Sequence, residues 1–137
     1  MAEKTLPHNL DAERAVLGAM LRDTTALGTA FEILGQNSFY HEGHLKIYLA
    51  LQALYMRGQP TDLYSVAEEL RQLGDLDKAG GTAYIASLLN SVATSANLEY
   101  HAEIVRDKSV LRDLIQSCIN TAEEGFQEHG SSSDLLE

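Results

Sequence analysis

Apolar residues recur at the three- and four-residue spacing of an amphipathic helix along almost the whole chain. The predicted second helix shows the pattern in its simplest form, with apolar residues at Leu27, Ala30, Phe31 and Leu34. No segment alternates apolar and polar residues as a half-buried strand would, and both prolines lie outside the predicted helices. The sequence therefore predicts an all-α protein, with five short helices on short connections followed by a much longer one.

Residues that favour helix ends mark the boundaries of the short helices. Asn9 can cap the first helix, and Thr24 is the predicted cap of the second. Asp62 can cap the fourth helix, and Gly74 can end it. Thr82 is the predicted cap of the fifth.

The first predicted helix contains a glycine in its interior, a position at which glycine lowers helix stability. Asp11 and Glu13 lie in its first turn, where carboxylates interact favourably with the helix dipole. Gly18 lies on the apolar face between Leu17 and Met20, where glycine costs about 1 kcal/mol relative to alanine. Either the chain tolerates a weak helix, or another segment approaches its backbone. We interpret Gly18 as a close-contact point between this helix and a neighbouring one.

Charge and cysteine content exclude several classes of function. The chain of 137 residues carries 20 acidic and 10 basic side chains, a net charge of -10, whereas a free-standing nucleic-acid binder usually has the opposite balance. No apolar run reaches the roughly 18 residues that span a membrane, and the N-terminus lacks the apolar core of a secretory signal. The single cysteine, Cys118, excludes an internal disulfide. We expect a cytoplasmic protein with no membrane partner.

The last predicted helix is the longest. Asn97 can cap it, and neither proline nor glycine follows until Gly125. A seam with the alternating four- and three-residue spacing of paired helices comprises Ile104, Lys108, Leu111, Ile115, Cys118, Ala122 and Gly125. Three further apolar residues widen this face, namely Val105, Val110 and Leu114. The pattern leaves two structures open: a helix packed along its own domain, or one that projects and pairs with a second helix or chain.

The C-terminal residues indicate the start of one more helix. Ser133 or Asp134 can cap it after a break at Gly130, and Leu135 and Leu136 follow. The alternative is an acidic tail. We favour the beginning of a second long helix.

Two short motifs have some likeness to catalytic or ligand-binding sites. The HEGH motif places His41 and His44 three residues apart, whereas the zinc-protease motif requires a spacing of four. His44 is in phase with the apolar Ile47, so a core-facing histidine at a helix start is the favoured interpretation. Gly80 and Gly81 lack the lysine and following Ser or Thr of a Walker loop. We predict no catalytic, cofactor-binding or metal-binding residue.

Four stretches of the chain, in order and with matching lengths, resemble the N-terminal domain of replicative DNA helicases of the DnaB type. They read LPHNLDAERAVLGAMLRD, SFYHEGHLKIYLALQALYMRGQPTDLYSVAEELRQLG, AGGTAYIASLLNSV and SANLEYHAEIVRDKSVLRDLI. These stretches lie within residues 6–115, and the resemblance covers nearly residues 6–120.

The resemblance implies a compact helical head, residues 1–96, followed by residues 97–137 as a long helix that begins a helical hairpin. In this family the hairpins pair between subunits, and three such dimers form a collar on a hexameric ring that docks primase. The expected partners are a second copy of the chain and the C-terminal domain of primase, with a helicase loader as a further candidate. DNA would be bound through the parent hexamer, in the bacterial replisome, and not strongly by this domain.

The resemblance also implies that catalysis belongs to a part that this chain lacks. The parent would be an ATP-dependent helicase that unwinds DNA from 5′ to 3′. ATP and magnesium would bind a separate C-terminal ATPase domain, so no cofactor is expected here.

Candidate contact residues lie on the long helix. Those for the dimer seam are Ile104, Leu111, Ile115 and Cys118. Those for the primase-facing side are Leu98, Tyr100 and Arg106. Two features depart from the family pattern: residues 92–97 lack a proline that many members carry, and Lys108 and Gly125 interrupt the seam.

These observations favour a non-catalytic domain for subunit dimerisation, collar assembly and primase docking. The first alternative is a stand-alone helical adaptor or regulator that resembles the collar. The second is a small metal-dependent enzyme centred on His41 and His44.

Overall fold

The computed structural model describes residues 5–127 and contains six α-helices. They are α1 (Leu10–Arg22), α2 (Thr24–Ile33), α3 (Glu42–Met56), α4 (Leu63–Leu73), α5 (Gly81–Ser91) and α6 (Leu98–Phe126). Within the described range there is no strand. The all-α prediction, with five short helices and a long sixth, is confirmed.

A single core forms where α1 packs against α2, α3, α5 and α6, while α4 joins through α3 and α5. Its largest fully buried apolar side chains are Tyr48, Leu17, Met20, Leu27, Ile47, Leu51, Leu70, Ile85 and Leu88. Each such side chain contributes about 1.5 to 3 kcal/mol by leaving water. We call the body formed by α1 to α5 the head, and the first half of α6 adds buried side chains to its core.

Three of the predicted helix boundaries are confirmed. The Asn9 side chain accepts a hydrogen bond from the Ala12 amide at 2.9 Å, and Asp62 accepts one from the Ser65 amide at 2.9 Å. Gly74 ends α4 in the left-handed conformation, with φ of 78°. These caps satisfy backbone groups that have no partner within the helix.

Two predicted caps are wrong. Thr24 already lies inside α2, because the preceding Asp23 accepts the capping hydrogen bond from the Thr25 amide at 3.0 Å. Thr82 lies inside α5, which begins one residue earlier after Gly80 at φ of 101°. The capping position lies one residue before Thr24 at Asp23, and two residues before Thr82 at Gly80.

The connection between α5 and α6 contains no proline, and it is hydrogen-bonded to the corner between α1 and α2. The Ser95 hydroxyl donates to Asp23 Oδ2 at 2.6 Å. This hydrogen bond, followed by those from Thr25, lowers the pKa of the Asp23 carboxyl. On the same side of the head, Arg22 Nη2 donates to the Leu89 carbonyl at 3.1 Å.

Gly18 lies at the closest approach of α1 to the end of α5. A Cβ atom at this position would lie 2.4 Å from the Leu88 carbonyl oxygen and 2.8 Å from Val92 Cγ2. The interpretation of Gly18 as a close-contact point is confirmed.

The long helix has two different halves. Its first half packs on the head through four buried residues, Leu98, Ala102, Val105 and Ser109. After Arg112, no residue of α6 is buried within the described range. The first half therefore packs along its own domain and the second half projects from it, whereas pairing with a second helix or chain stays a prediction.

These contacts correct two expectations about α6. Val105 is 1% exposed and belongs to the core of the head, not to the seam face. The helix also continues through Gly125 to Phe126. The predicted helix start at Ser133 or Asp134 lies outside the described residues.

Across residues 5–127, we find no helix with the length and apolar character needed to cross a membrane.

Candidate interaction surface

The second half of α6 exposes a stripe of apolar side chains, which we call the distal α6 surface. It consists of Val110, Leu111, Leu114, Ile115, Cys118 and Ile119. The exposed fractions are 57% for Val110, 44% for Leu111, 60% for Leu114 and 43% for Ile119. Ile115 is half-buried and Cys118 is exposed.

This stripe is not a continuation of the face that packs on the head. The buried positions Leu98, Ala102, Val105 and Ser109 continue along the same side of the helix as Arg112, Gln116 and Asn120, which are polar. At about 100° per residue, Leu111 and Cys118 lie roughly 120° to 180° around the helix from Val105 and Ser109. The apolar side therefore changes face where α6 leaves the head.

All four seam candidates lie on one side of the helix, and three of them lie beyond the part that packs on the head. Leu111, Ile115 and Cys118 are separated by four and three residues, the spacing that aligns side chains along a helix. Ile104 lies on the same side but is half-buried and packs against the head core. It therefore contributes to the head, and its place in the seam stays a prediction.

The three candidates for the primase-facing side do not form one surface. Leu98 is 5% exposed and belongs to the core, so we correct its assignment as a surface contact. Tyr100 is 65% exposed, and Arg106 is also exposed, with Nε 3.9 Å from Asp107 Oδ1. Six residues separate Tyr100 from Arg106, which places them about 120° apart around the helix. Tyr100 instead shares a side with Leu111.

Small side chains follow the large ones toward the end of α6. Four of them form a shallow, mainly apolar depression: Ser117, Cys118, Thr121 and Ala122. Small residues allow the backbone of a second helix to approach closely. Cys118 and Ala122 were predicted to lie in the seam; Ser117 and Thr121, four residues apart, line the same depression and were not part of that prediction.

The two histidines of the HEGH motif take structural positions. His44 is fully buried, with Nδ1 2.8 Å from Glu13 Oε1 and Nε2 2.6 Å from the Tyr84 hydroxyl. His41 precedes α3 as its cap, and burial, followed by the charge of His44, lowers its pKa. The prediction of a core-facing His44 is confirmed.

Both ring nitrogens of His44 are occupied by protein partners. Nowhere in residues 5–127 do three His, Cys, Asp or Glu side chains converge into a group that could hold a metal ion.

Comparison with protein families identifies a match over most of the chain. The model of the DnaB-like helicase N-terminal domain matches residues 5–107. The replicative DNA helicase DnaC of Bacillus subtilis is 43% identical over 130 residues, and the replicative DNA helicase DnaB of Geobacillus stearothermophilus is 40% identical over 136 residues. The alignments cover 95% and 99% of this chain but 29% and 30% of the relatives. The chain thus spans less than a third of their length.

Two solved structures are similar to this one. The crystal structure of the N-terminal domain of DnaB helicase from Mycobacterium tuberculosis has a TM-score of 0.91 and 36% identity, covering 96% of this chain and 92% of that chain. A structure of a DnaB-like replicative helicase and its interactions with primase has a TM-score of 0.75 and 28% identity, covering 85% of this chain and 27% of that one.

Proposed function

Because the chain belongs to the DnaB-like helicase N-terminal domain family, we propose that it pairs the subunits of a hexameric replicative helicase into a collar and docks primase. It has no catalytic role of its own in this proposal. The parent protein binds ATP and magnesium in a separate C-terminal domain and unwinds DNA from 5′ to 3′. DNA is bound through the hexamer, and a helicase loader is a further partner.

The observation that carries the proposal is the distal α6 surface. Single exposed leucines are common on proteins, but a continuous apolar stripe is typical of a surface that a partner covers. Here the stripe lies beyond the part of α6 that packs on the head, so the head itself does not cover it. Its spacing of four and three residues is that of helices that pair side by side.

We expect Leu111→Asp to weaken self-association about tenfold or more, which corresponds to about 1.4 kcal/mol or more. The reason is that a carboxylate at this position would lose its water when a second apolar stripe covers it. Leu111 is 44% exposed within the chain, so the fold should tolerate the change. Sedimentation equilibrium measures the association constant, and far-ultraviolet circular dichroism measures the helix content.

Leu73→Asp is the matched control, because Leu73 is 56% exposed at the end of α4 and outside the distal α6 surface. We expect it to leave self-association within about twofold of the unsubstituted chain. If both variants associate as tightly as the unsubstituted chain, Leu111 is not in the dimer seam.

The exposed face of Tyr100 supports a docking position for primase close to the head. Its ring is 65% exposed and lies edge-on to the His101 ring at a centroid distance of 5.3 Å. Exposed tyrosines are over-represented among the residues that dominate binding energy at interfaces. Tyr100 lies on the same side of α6 as Ile104 and Leu111, so one partner can contact all three.

We expect Tyr100→Ala to weaken binding of the C-terminal domain of primase about tenfold, because truncation removes a large amphipathic contact. Calorimetric titration measures the dissociation constant. Tyr64→Ala is the control, since Tyr64 is 79% exposed on α4. Equal affinities for the two variants would remove Tyr100 from the docking site.

A further inference from the structure

Arg112 makes contacts with the head that the proposed function does not use. It lies on the head-facing side of α6, three residues after the last buried position, Ser109. It is also the last lysine or arginine along the chain. Its guanidinium reaches back from the helix to the head.

Arg112 contacts two segments of the head that are distant in sequence. Its Nη1 donates to the Pro7 carbonyl at 2.9 Å, and its Nη2 donates to the Ser38 carbonyl at 2.9 Å. One side chain therefore ties α6 both to the segment before α1 and to the turn between α2 and α3. A planar guanidinium can serve two carbonyls in different directions, which an ammonium cannot do with the same geometry.

Aromatic stacking reinforces the same junction. The guanidinium carbon lies 5.6 Å from the centroid of the Tyr40 ring, within the range of a cation–π contact. The same ring stacks on His8, at a centroid distance of 4.1 Å and an interplanar angle of 8°. The Tyr40 amide donates to buried Glu13 at 2.8 Å, so the junction connects to the core of the head.

We propose that Arg112 is a positioning residue, which fixes the direction in which the distal α6 surface leaves the head. The helix continues for 14 residues after Arg112, to Phe126. At about 1.5 Å per residue this is an arm of about 21 Å, and a tilt of about 10° at its base would move its end by about 4 Å. The consequence for subunit pairing rests on the proposed function, whereas the positioning itself does not.

The test measures the direction of α6 within one chain. Spin labels are attached to cysteines introduced by Met56→Cys on the head and Glu123→Cys on the arm. Cys118→Ser removes the native thiol. Both labelled positions are exposed, Met56 by 78%. Glu123 lies about 16 Å beyond Arg112, so a tilt of about 10° moves its label by about 3 Å. An excess of unlabelled chain removes distances between copies, and electron–electron double resonance gives the distance distribution.

We expect R112Q to shift or widen this distribution by about 3 Å. R106Q is the matched control, because Arg106 loses the same charge but pairs, within residues 5–127, with the neighbouring Asp107 of its own helix. Its distribution should superimpose on that of the parent. R112K should give an intermediate width, since an ammonium can reach one carbonyl but not both, and this variant decides the question if R112Q does not fold.

A purely structural role would lower the melting temperature of R112Q but leave the distances of the folded chain unchanged, and that result would overturn the proposal. The distances are measured between two labels on one chain, so they stay informative if Leu111→Asp leaves self-association unchanged and the proposed function fails. If the proposed function holds, R112Q should weaken self-association about fivefold relative to R106Q, because a displaced arm presents the apolar stripe at the wrong angle.

Discussion

Replacing Glu13 with alanine is expected to lower the free energy of unfolding by about 3 to 5 kcal/mol, a large part of the stability of a typical domain. Glu13 is 1% exposed. Its Oε1 lies 2.8 Å from His44 Nδ1, and its Oε2 accepts a hydrogen bond from the Tyr40 amide at 2.8 Å. The His41 amide also donates to Oε1, at 3.4 Å. Alanine would leave the buried His44 ring nitrogen and the two part-buried amides without this acceptor, and a buried group left unpaired costs about 1 to 3 kcal/mol.

The loss of the carboxylate should also affect groups that do not contact Glu13 directly. While Nδ1 of His44 contacts the carboxylate, Nε2 on the other side of the ring is hydrogen-bonded to the Tyr84 hydroxyl at 2.6 Å. Glu13 therefore fixes the orientation of a ring that connects α1, α3 and α5. Loss of the carboxylate frees His44 to rotate and weakens the hydrogen bond to Tyr84.

Urea denaturation followed by circular dichroism measures the effect. Asp11→Ala is the control, because Asp11 lies in the same first turn of α1 but its side chain is 92% exposed and pairs with Arg14 at the surface. Its substitution should cost less than about 1 kcal/mol. Similar losses in the two variants would mean that the buried hydrogen bonds of Glu13 contribute little to stability.

Local features of this fold could be predicted from the sequence, because the signals that define them lie within a few residues. The spacing of apolar residues predicted the six helices, and Asn9, Asp62 and Gly74 were correctly assigned to helix ends. The errors at Thr24 and Thr82 have a common cause. In each case a residue slightly earlier in the chain occupies the cap, and local propensity does not choose between nearby residues that can all begin a helix.

The buried polar cluster could not be predicted, because its members are far apart in the chain. Glu13 lies 31 residues from His44, which in turn lies 40 residues from Tyr84. From sequence alone, Glu13 was placed in the first turn as a dipole-stabilising carboxylate, an interpretation that requires no tertiary partner. Only the packing of α1 against α3 brings the carboxylate to the histidine.

The division of α6 into two halves was likewise hidden in its sequence. The residues that pack on the head and those of the distal α6 surface both repeat at intervals of three and four. Periodicity alone therefore does not show where one apolar face ends and another begins, so Leu98 was assigned to the surface although it lies in the core. The seam residues Leu111, Ile115 and Cys118 remain predictions, because their test requires the partner.

Gly18→Ala is expected to destabilise the chain even though alanine is the better helix former. The gain in helix propensity is about 1 kcal/mol. The added Cβ, however, would lie 2.4 Å from the Leu88 carbonyl oxygen, a backbone atom that moves only if α5 moves. Overpacking of this kind costs about 1 to 3 kcal/mol, occasionally more, and so short a contact places the cost at or above the upper end of that range. We therefore expect a net loss of about 2 kcal/mol, which lowers the melting temperature by roughly 5 to 10 °C.

Gly28→Ala supplies the opposite expectation within the same fold. Gly28 also lies inside a helix, α2, but a Cβ there would meet only the Tyr55 hydroxyl oxygen, at an ordinary contact distance of 3.6 Å. Its substitution should stabilise the chain by up to about 1 kcal/mol, because it gains helix propensity without displacing a neighbour. Calorimetric melting of the two variants then compares one chemical change in two packing environments. A rise in melting temperature for both would mean that α1 and α5 separate easily at Gly18, and that the close contact does not determine the choice of glycine.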